Sequence, residues 1–328
     1  MKGKYHIIVQ NNKVKFEFDI KRNITIVRGN SATGKTTLVS LIDTYDRLGA
    51  DSGIEVLCKK RCLTINNSNW EYILNSISEC IVFIDEETTI VKSDDFARKI
   101  RETDNYYVII TRENLPNLPY SVEEVYGIHN SGRYSDMRRT YNSFYQLYTT
   151  ENSVKNEPVE IVIAEDSNSG HEFFKAVTAD DISCISAGGK TKIKRLVNDN
   201  KGKKLLIIAD GAAFGSEMGE LYRYIKKHPE VSLYLPESFE WLILKSGLID
   251  GNRIVDILQH TEDYLESSDF FSWERFFTKL LISETEGTYL QYSKQRLNEV
   301  YLNAKEKEQI LSSANIIRPM LGNTASTD

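Results

Sequence analysis

The stretch Gly29-Asn30-Ser31-Ala32-Thr33-Gly34-Lys35-Thr36 constrains the folding of this chain more than any other part of it. It follows the run Ile24-Thr25-Ile26-Val27 and opens a helical pattern that extends from Lys35 to about Arg47. Strand, glycine-bounded turn and helix, in that order, make a phosphate cradle. The glycines let successive backbone N–H groups turn inward, and the helix N-terminus adds its partial positive charge. In such a loop Lys35 reaches the β- and γ-phosphates and the Thr36 hydroxyl ligates Mg²⁺, with Thr37 following. The spacing G-x-x-x-x-G-K-[ST] is met in full. The expected ligand is therefore ATP with Mg²⁺, held by residues 29–37, and the expected fold class is α/β.

A second pattern fits the first. Cys80-Ile81-Val82-Phe83-Ile84-Asp85-Glu86 is a short apolar run that ends in two carboxylates. Asp85 at the end of a buried strand would hold Mg²⁺ through water, and Glu86 would polarise an attacking water. Many small-molecule kinases need no such second carboxylate, because the acceptor is their nucleophile. A third run, Tyr107-Val108-Ile109-Ile110, ends in Thr111-Arg112, either of which would be placed to sense the γ-phosphate. The arrangement resembles P-loop ATPases of the class with an additional catalytic glutamate, over roughly residues 1–130. That resemblance implies a P-loop NTPase parallel sheet. Lys35, Glu86 and Arg112 are the expected catalytic residues; Glu87 is the fallback for the water-orienting role, and Arg112, Arg138 and Arg139 are the candidates within this chain for an arginine finger. ABC-type ATPases are set aside, because the interval 37–80 holds no Leu-Ser-Gly-Gly signature and is too short for their helical subdomain.

With 328 residues the chain is long for one domain and comfortable for two. Its net charge of −6 argues against coating nucleic acid or an anionic membrane over the whole surface. Cys58, Cys62, Cys80 and Cys184 make no disulfide framework and no zinc spacing. The N-terminus lacks a signal-peptide pattern and no run approaches a membrane span, so a cytoplasmic protein with no membrane partner is expected.

Strand patterns are expected at residues 5–9, 13–19, 24–27, 81–84 and 107–111, with 122–128 as the last strand of a domain covering 1–150. Residues 149–158 read as a linker. A second series of strands follows at 159–164, 182–186, 204–209 and 231–235, with helices at 171–178, 191–199 and 216–228 between them. Such repetition predicts a second parallel α/β sheet over 157–250. From about 237 the pattern is helical, giving a C-terminal segment over 251–328 with a polar tail expected to be disordered.

Two strands of the second series end in acids: Ile161 to Glu165-Asp166, and Lys204 to Asp210. Ligands gather at the carboxyl ends of such strands near a topological switch point, so Glu165 and Asp210 would share a divalent cation, Mg²⁺ or Mn²⁺. Here residues 159–247 resemble Toprim domains, which carry a glutamate after the first strand, a glycine turn after the second and Asp-x-Asp after the third. The matching residues are Glu165, Ala187-Gly188-Gly189-Lys190 and Asp210-Gly211-Ala212. Glu240 resembles a further glutamate after the fourth strand. Ala212 stands where the second aspartate belongs, and Asp166 replaces the usual glycine. A receiver-like domain, with Asp210 as phosphoryl acceptor, and a Rossmann-like interaction domain are the alternatives.

An ATPase joined to a Toprim-like domain resembles anti-phage and mobile-element nucleases of the overcoming-lysogenization-defect type. That likeness implies an ATP-regulated effector acting on nucleic acid, as a homo-oligomer or with a partner protein. The different-class alternative is a nucleotide-switched interaction protein. Seven basic residues against one acid between 190 and 204 either track a phosphate backbone or form a solvated helix face. His171 is expected to begin a helix that turns Phe173 and Phe174 into the core, and residues 289–310 to supply a core or interface.

Overall fold

The structure is a computed structural model that describes residues 1–29, 34–131, 139–149 and 157–322. Asn30, Ser31, Ala32, Thr33, Arg138 and the tail from 323 onward lie outside the described residues. The chain divides into two compact units, Met1–Leu147 with His260–Ser272, and Tyr148–Gln259 with Trp273–Asp328. Both are α/β.

The first unit is built on β1 (Tyr5–Gln10), β2 (Val14–Ile20), β3 (Ile24–Val27), β4 (Glu55–Leu57), β5 (Cys62–Ile65), β6 (Ile81–Ile84), β7 (Tyr106–Ile110), β8 (Val125–Asn130) and β9 (Thr140–Gln146). They form one sheet in the order β4-β1-β2-β9-β8-β3-β7-β6-β5. From β5 to β8 neighbouring strands run parallel. The strands β3, β6 and β7 are buried along their whole length, as continuous apolar runs in a covered parallel sheet are.

The other half differs from the parallel sheet expected. β9 pairs antiparallel with β8 and parallel with β2, while β1 pairs antiparallel with β2 and β4, so the sheet is mixed. β8 is not the last strand, because β9 follows it. Helices α1 (Lys35–Leu48), α2 (Trp70–Ser76) and α3 (Asp94–Arg101) complete the unit. Leu38 and Ile42 of α1 join Ile7, Phe16, Phe83 and Val108 in its core.

The segment 260–272 closes on the chain start. Gly3 N–H donates to Glu262 O at 2.7 Å and Ser267 N–H to Met1 O at 2.9 Å. The N-terminal ammonium lies 2.9 Å from Glu266, and Asn23 Nδ2 donates to Ser267 O at 3.1 Å.

The second unit holds β10 (Ile161–Ala164), α4 (Ser169–Val177), β11 (Ser183–Ser186), α5 (Lys190–Asp199), β12 (Leu205–Ile208), α6 (Gly215–Ile225) and β13 (Val231–Tyr234). The strands and helices expected in this stretch are all present. Its sheet is parallel throughout, in the order β11-β10-β12-β13. The chain steps from β10 to β11 on one side and then back across to β12, so the switch point lies between β10 and β12. Right-handed crossovers place α4 on one face and α5 with α6 on the other. Helices α7 (Phe239–Lys245), α8 (Asn252–Gln259), α9 (Trp273–Thr285) and α10 (Ala304–Ser313) follow. Phe239 of α7 packs on Phe173 and Phe174, which α4 buries as expected. No helix among the described residues is long and apolar enough to cross a membrane.

Candidate functional sites

In the first unit the order of strands matters most. β7 lies between β3 and β6, so Thr111 and Arg112 emerge between the glycine-bounded loop and the Asp85-Glu86 pair. Lys35 is 5% exposed, and its ammonium donates to Gly29 O at 2.8 Å, tying the two ends of the loop together. Burial pulls the Lys35 ammonium below the ordinary lysine value; Glu86 and Asp85 oppose that pull and Arg112 adds to it. All four side chains therefore share one electrostatic environment.

Gly34 precedes α1 with φ of 86°, a left-handed conformation that disfavours a side chain. A Cβ there would also meet the Phe16 ring at 3.2 Å. Gly34 offers no side-chain cap to α1 and no acid lies in the helix's first turn, so neither offsets the partial positive charge of this helix end. Thr36 and Thr37 are exposed beside it.

Asp85 and Glu86 are half-buried. The Asp85 carboxylate accepts from Glu86 N–H at 2.8 Å, while Arg112 Nε lies 2.8 Å from Glu86 Oε1. Thr111 is committed otherwise: its hydroxyl accepts from Glu113 N–H at 3.0 Å. Of the two sensor candidates, Arg112 is the one turned toward the carboxylates. Asp85 also lines an open polar groove with Ser40, Asp43, Asn66 and the reserve carboxylate Glu87. Arg139 bonds to Gln10 at 2.9 Å. These residues fit a magnesium nucleoside triphosphate in donor chemistry: a cradle closed to a Cβ, a buried ammonium and hard carboxylate oxygens.

In the second unit Glu165 and Asp210 do meet. The Glu165 carboxylate accepts from Asp210 N–H at 3.0 Å. Both line a cavity of about 20 Å³ together with Asp166, enough for a single water or bare cation. Asp166 accepts from His171 N–H at 2.9 Å at the start of α4. Burial, reinforced by neighbouring acids, raises all three carboxyls above their ordinary values.

Glu240 is placed differently from the third ligand expected. It is 2% exposed, accepts from the Tyr292 hydroxyl at 3.0 Å and lies 3.8 Å from the Lys294 ammonium. Among the described residues no three of His, Cys, Asp and Glu are arranged to hold a metal ion. Glu165, Asp210 and Glu240 thus form no ready three-ligand set, because Glu240 is already engaged by two donors.

Sequence reasoning missed two members of this centre. Glu274, in the first turn of α9, acts on Asp210 more strongly than any other charge does. Lys294 lies 2.5 Å from Glu274. Burial alone would lower the Lys294 ammonium, but Glu240, Glu274 and Asp210 outweigh it and hold it above the ordinary lysine value. An acid opening a helix reads as dipole compensation, so nothing local marks Glu274. Ala212 is buried in the turn Gly211–Ala213, whose backbone runs close against the segment that follows β13: a Cβ on Gly211 would lie 2.9 Å from Leu235 O. Compared with models of protein families and with curated proteins, the chain matches none.

Proposed function

We propose that the first unit binds ATP with Mg²⁺ and hydrolyses it. The observation that carries this reading is the convergence of Lys35, Asp85, Glu86 and Arg112 at one edge of the sheet, with β7 between the loop strand and the acid strand. Gly29–Thr37 would hold the triphosphate, and Thr36 and Asp85 the Mg²⁺. The metal, when bound, neutralises charge on the phosphate oxygens. Lys35 adds a fixed positive charge there. Glu86 orients and deprotonates water, and Arg112 holds the Glu86 carboxylate in place. This set resembles P-loop ATPases with an additional catalytic glutamate.

The second unit is read as a Toprim-like domain whose edge at Glu165, Asp166 and Asp210 acts on nucleic acid, under control of the nucleotide state. Its strand order and the meeting of Glu165 with Asp210 support this over a receiver-like domain, since no fifth strand follows β13 in that sheet among the described residues. A two-carboxylate site of this kind takes Mg²⁺ or Mn²⁺ weakly. The organisation resembles ATPase–Toprim proteins of phage defence and mobile elements, and on that likeness the protein would act in the cytoplasm, as a homo-oligomer or with a protein partner.

One observation favours a second reading. Lys294 already supplies a positive charge among Glu240, Glu274 and Asp210, and Ala212 removes an expected ligand. Under that reading the second unit binds a partner protein and cuts nothing. Incubating the full chain with ATP, Mg²⁺ or Mn²⁺, plasmid and RNA, and following phosphate release and cleavage, separates the two. Phosphate release without cleavage favours the second reading; no phosphate release rejects the ATPase.

A further inference from the structure

The ten lysines and arginines between 190 and 228, against four acids, stand out in a chain of net charge −6. Three of them, Lys194, Arg223 and Lys227, line one groove, because α5 and α6 lie side by side on the same side of the sheet. Lys190, Lys194 and Asn198 are four residues apart along α5, and so share a stripe. Ser216, Glu220 and Tyr224 do the same along α6, and Lys227 lies just past its end.

The two stripes are joined at the top and open below. Lys190 Nζ donates to Ser216 Oγ at 3.2 Å, next to the carboxyl edge that carries Glu165 and Asp210. One turn down, Lys194 pairs with Glu220. Around that rung the helices leave a groove of about 310 Å³, lined by Lys194 and Glu220 themselves together with Val197, Arg223, Tyr224 and Lys227. Arg223 and Lys227 are exposed there, and neither makes an ion pair among the described residues. Tyr224 is stacked on His228 at 3.9 Å, and Lys226 lies 4.5 Å above the Tyr222 ring, so these rings are engaged within the surface.

We propose that the groove between α5 and α6 binds the phosphate backbone of a nucleic-acid strand without regard to sequence, on the helix pair whose top rung adjoins the Glu165–Asp210 edge. The proposal rests on the reading that this edge acts on nucleic acid. Arg223 and Lys227, exposed and in no ion pair among the described residues, suit phosphates and carry no base readout. From Lys190 to Asn198 the stripe rises about 12 Å, room for a short run of backbone. An acidic protein segment is the competing occupant.

The test is fluorescence anisotropy on the full chain in EDTA, without nucleotide, so that neither hydrolysis nor cleavage enters. The probes are a labelled single-stranded DNA of mixed sequence, its RNA counterpart and a labelled polyglutamate peptide. Arg223→Gln with Lys227→Gln should weaken oligonucleotide binding about tenfold or more. The slope of log affinity against log salt should become shallower by about 1.4, at roughly 0.7 per lost phosphate contact on a single strand. Lys13→Gln with Lys305→Gln, which changes net charge equally on other surfaces, should leave both unchanged. Thermal melts check that all variants fold. If the wild type binds oligonucleotide and the groove variant binds it equally well, the groove assignment is wrong while the nucleic-acid reading stands. If the wild type binds neither DNA nor RNA, both fall. Tighter binding of polyglutamate than of either oligonucleotide assigns the groove to a protein.

Discussion

The guanidinium of Arg112 lies 2.8 Å from the Glu86 carboxylate, joining the ends of two neighbouring parallel strands, β7 and β6. The arginine is 54% and the glutamate 32% exposed, so the pair is worth at most about 1 kcal/mol to stability. A functional role would show elsewhere. Arg112→Ala should leave the melting temperature nearly unchanged and slow phosphate release about tenfold or more. Unchanged turnover would make the pair a surface contact.

Lys35 is buried and bonded to Gly29 O, with two carboxylates near it. A charge-assisted phosphate contact is worth about 1.5–3 kcal/mol. Lys35→Ala should therefore weaken ATP binding by at least about tenfold in a calorimetric titration. Equal affinity would reject the phosphate-cradle assignment.

Glu86→Gln keeps the shape of the side chain and removes the base. ATP affinity should persist while hydrolysis falls by about 10² or more, the size of a general-base contribution. If turnover stays at the wild-type rate, Glu87 on the adjoining groove is the next candidate, and Glu87→Gln checks it.

Glu165, Asp166 and Asp210 hold protons above their ordinary range because burial and mutual repulsion disfavour charge. A cation competes with those protons, so Mn²⁺ should raise the melting temperature of the full chain more at pH 8 than at pH 5. Binding should be weak, roughly in the high micromolar to millimolar range. Asp210→Ala should abolish the rise, and Lys294→Met should enlarge it by removing the resident positive charge. A rise that survives Asp210→Ala would place the metal elsewhere.

Glu124 is fully buried, and burial pushes its carboxyl up to about 7 even with Arg22 beside it and Thr25 donating at 3.1 Å. The folded chain then holds a proton that an unfolded carboxyl releases near its ordinary value of 4.5. The native state binds more protons through that window, so stability is greatest below it and falls as pH rises toward 7. Glu124→Gln should remove part of the loss in melting temperature between pH 5 and pH 8. An identical slope in the variant would mean that Glu124 is charged in the folded protein.

The sequence by itself determined what short-range pattern can encode. The order of β3, loop and α1, the apolar runs of β6 and β7, and the strands β10 and β12 of the second sheet were readable, because a strand buried on both faces must be continuously apolar. The ends of those runs placed Asp85, Glu86, Glu165 and Asp210. Helix α3 carries equally local signals: Ser93 caps it by accepting from Phe96 N–H at 3.1 Å, and Asp94 and Asp95 open its first turn. β9 was not readable. Only Asn142 is buried in its seven residues, and pairing with β2 and β8 defines it where apolar alternation does not.

Tertiary structure alone decided the rest. The mixed half of the first sheet, the return of residues 260–272 to the chain start, and the arrival of Glu274 and Lys294 beside Asp210 all join residues tens to hundreds of positions apart. Local propensity sees only a few neighbours along the chain. The placement of a partly exposed acid such as Glu274 follows from how α9 packs against the turn at Gly211–Ala213, and that packing is a property of the whole unit.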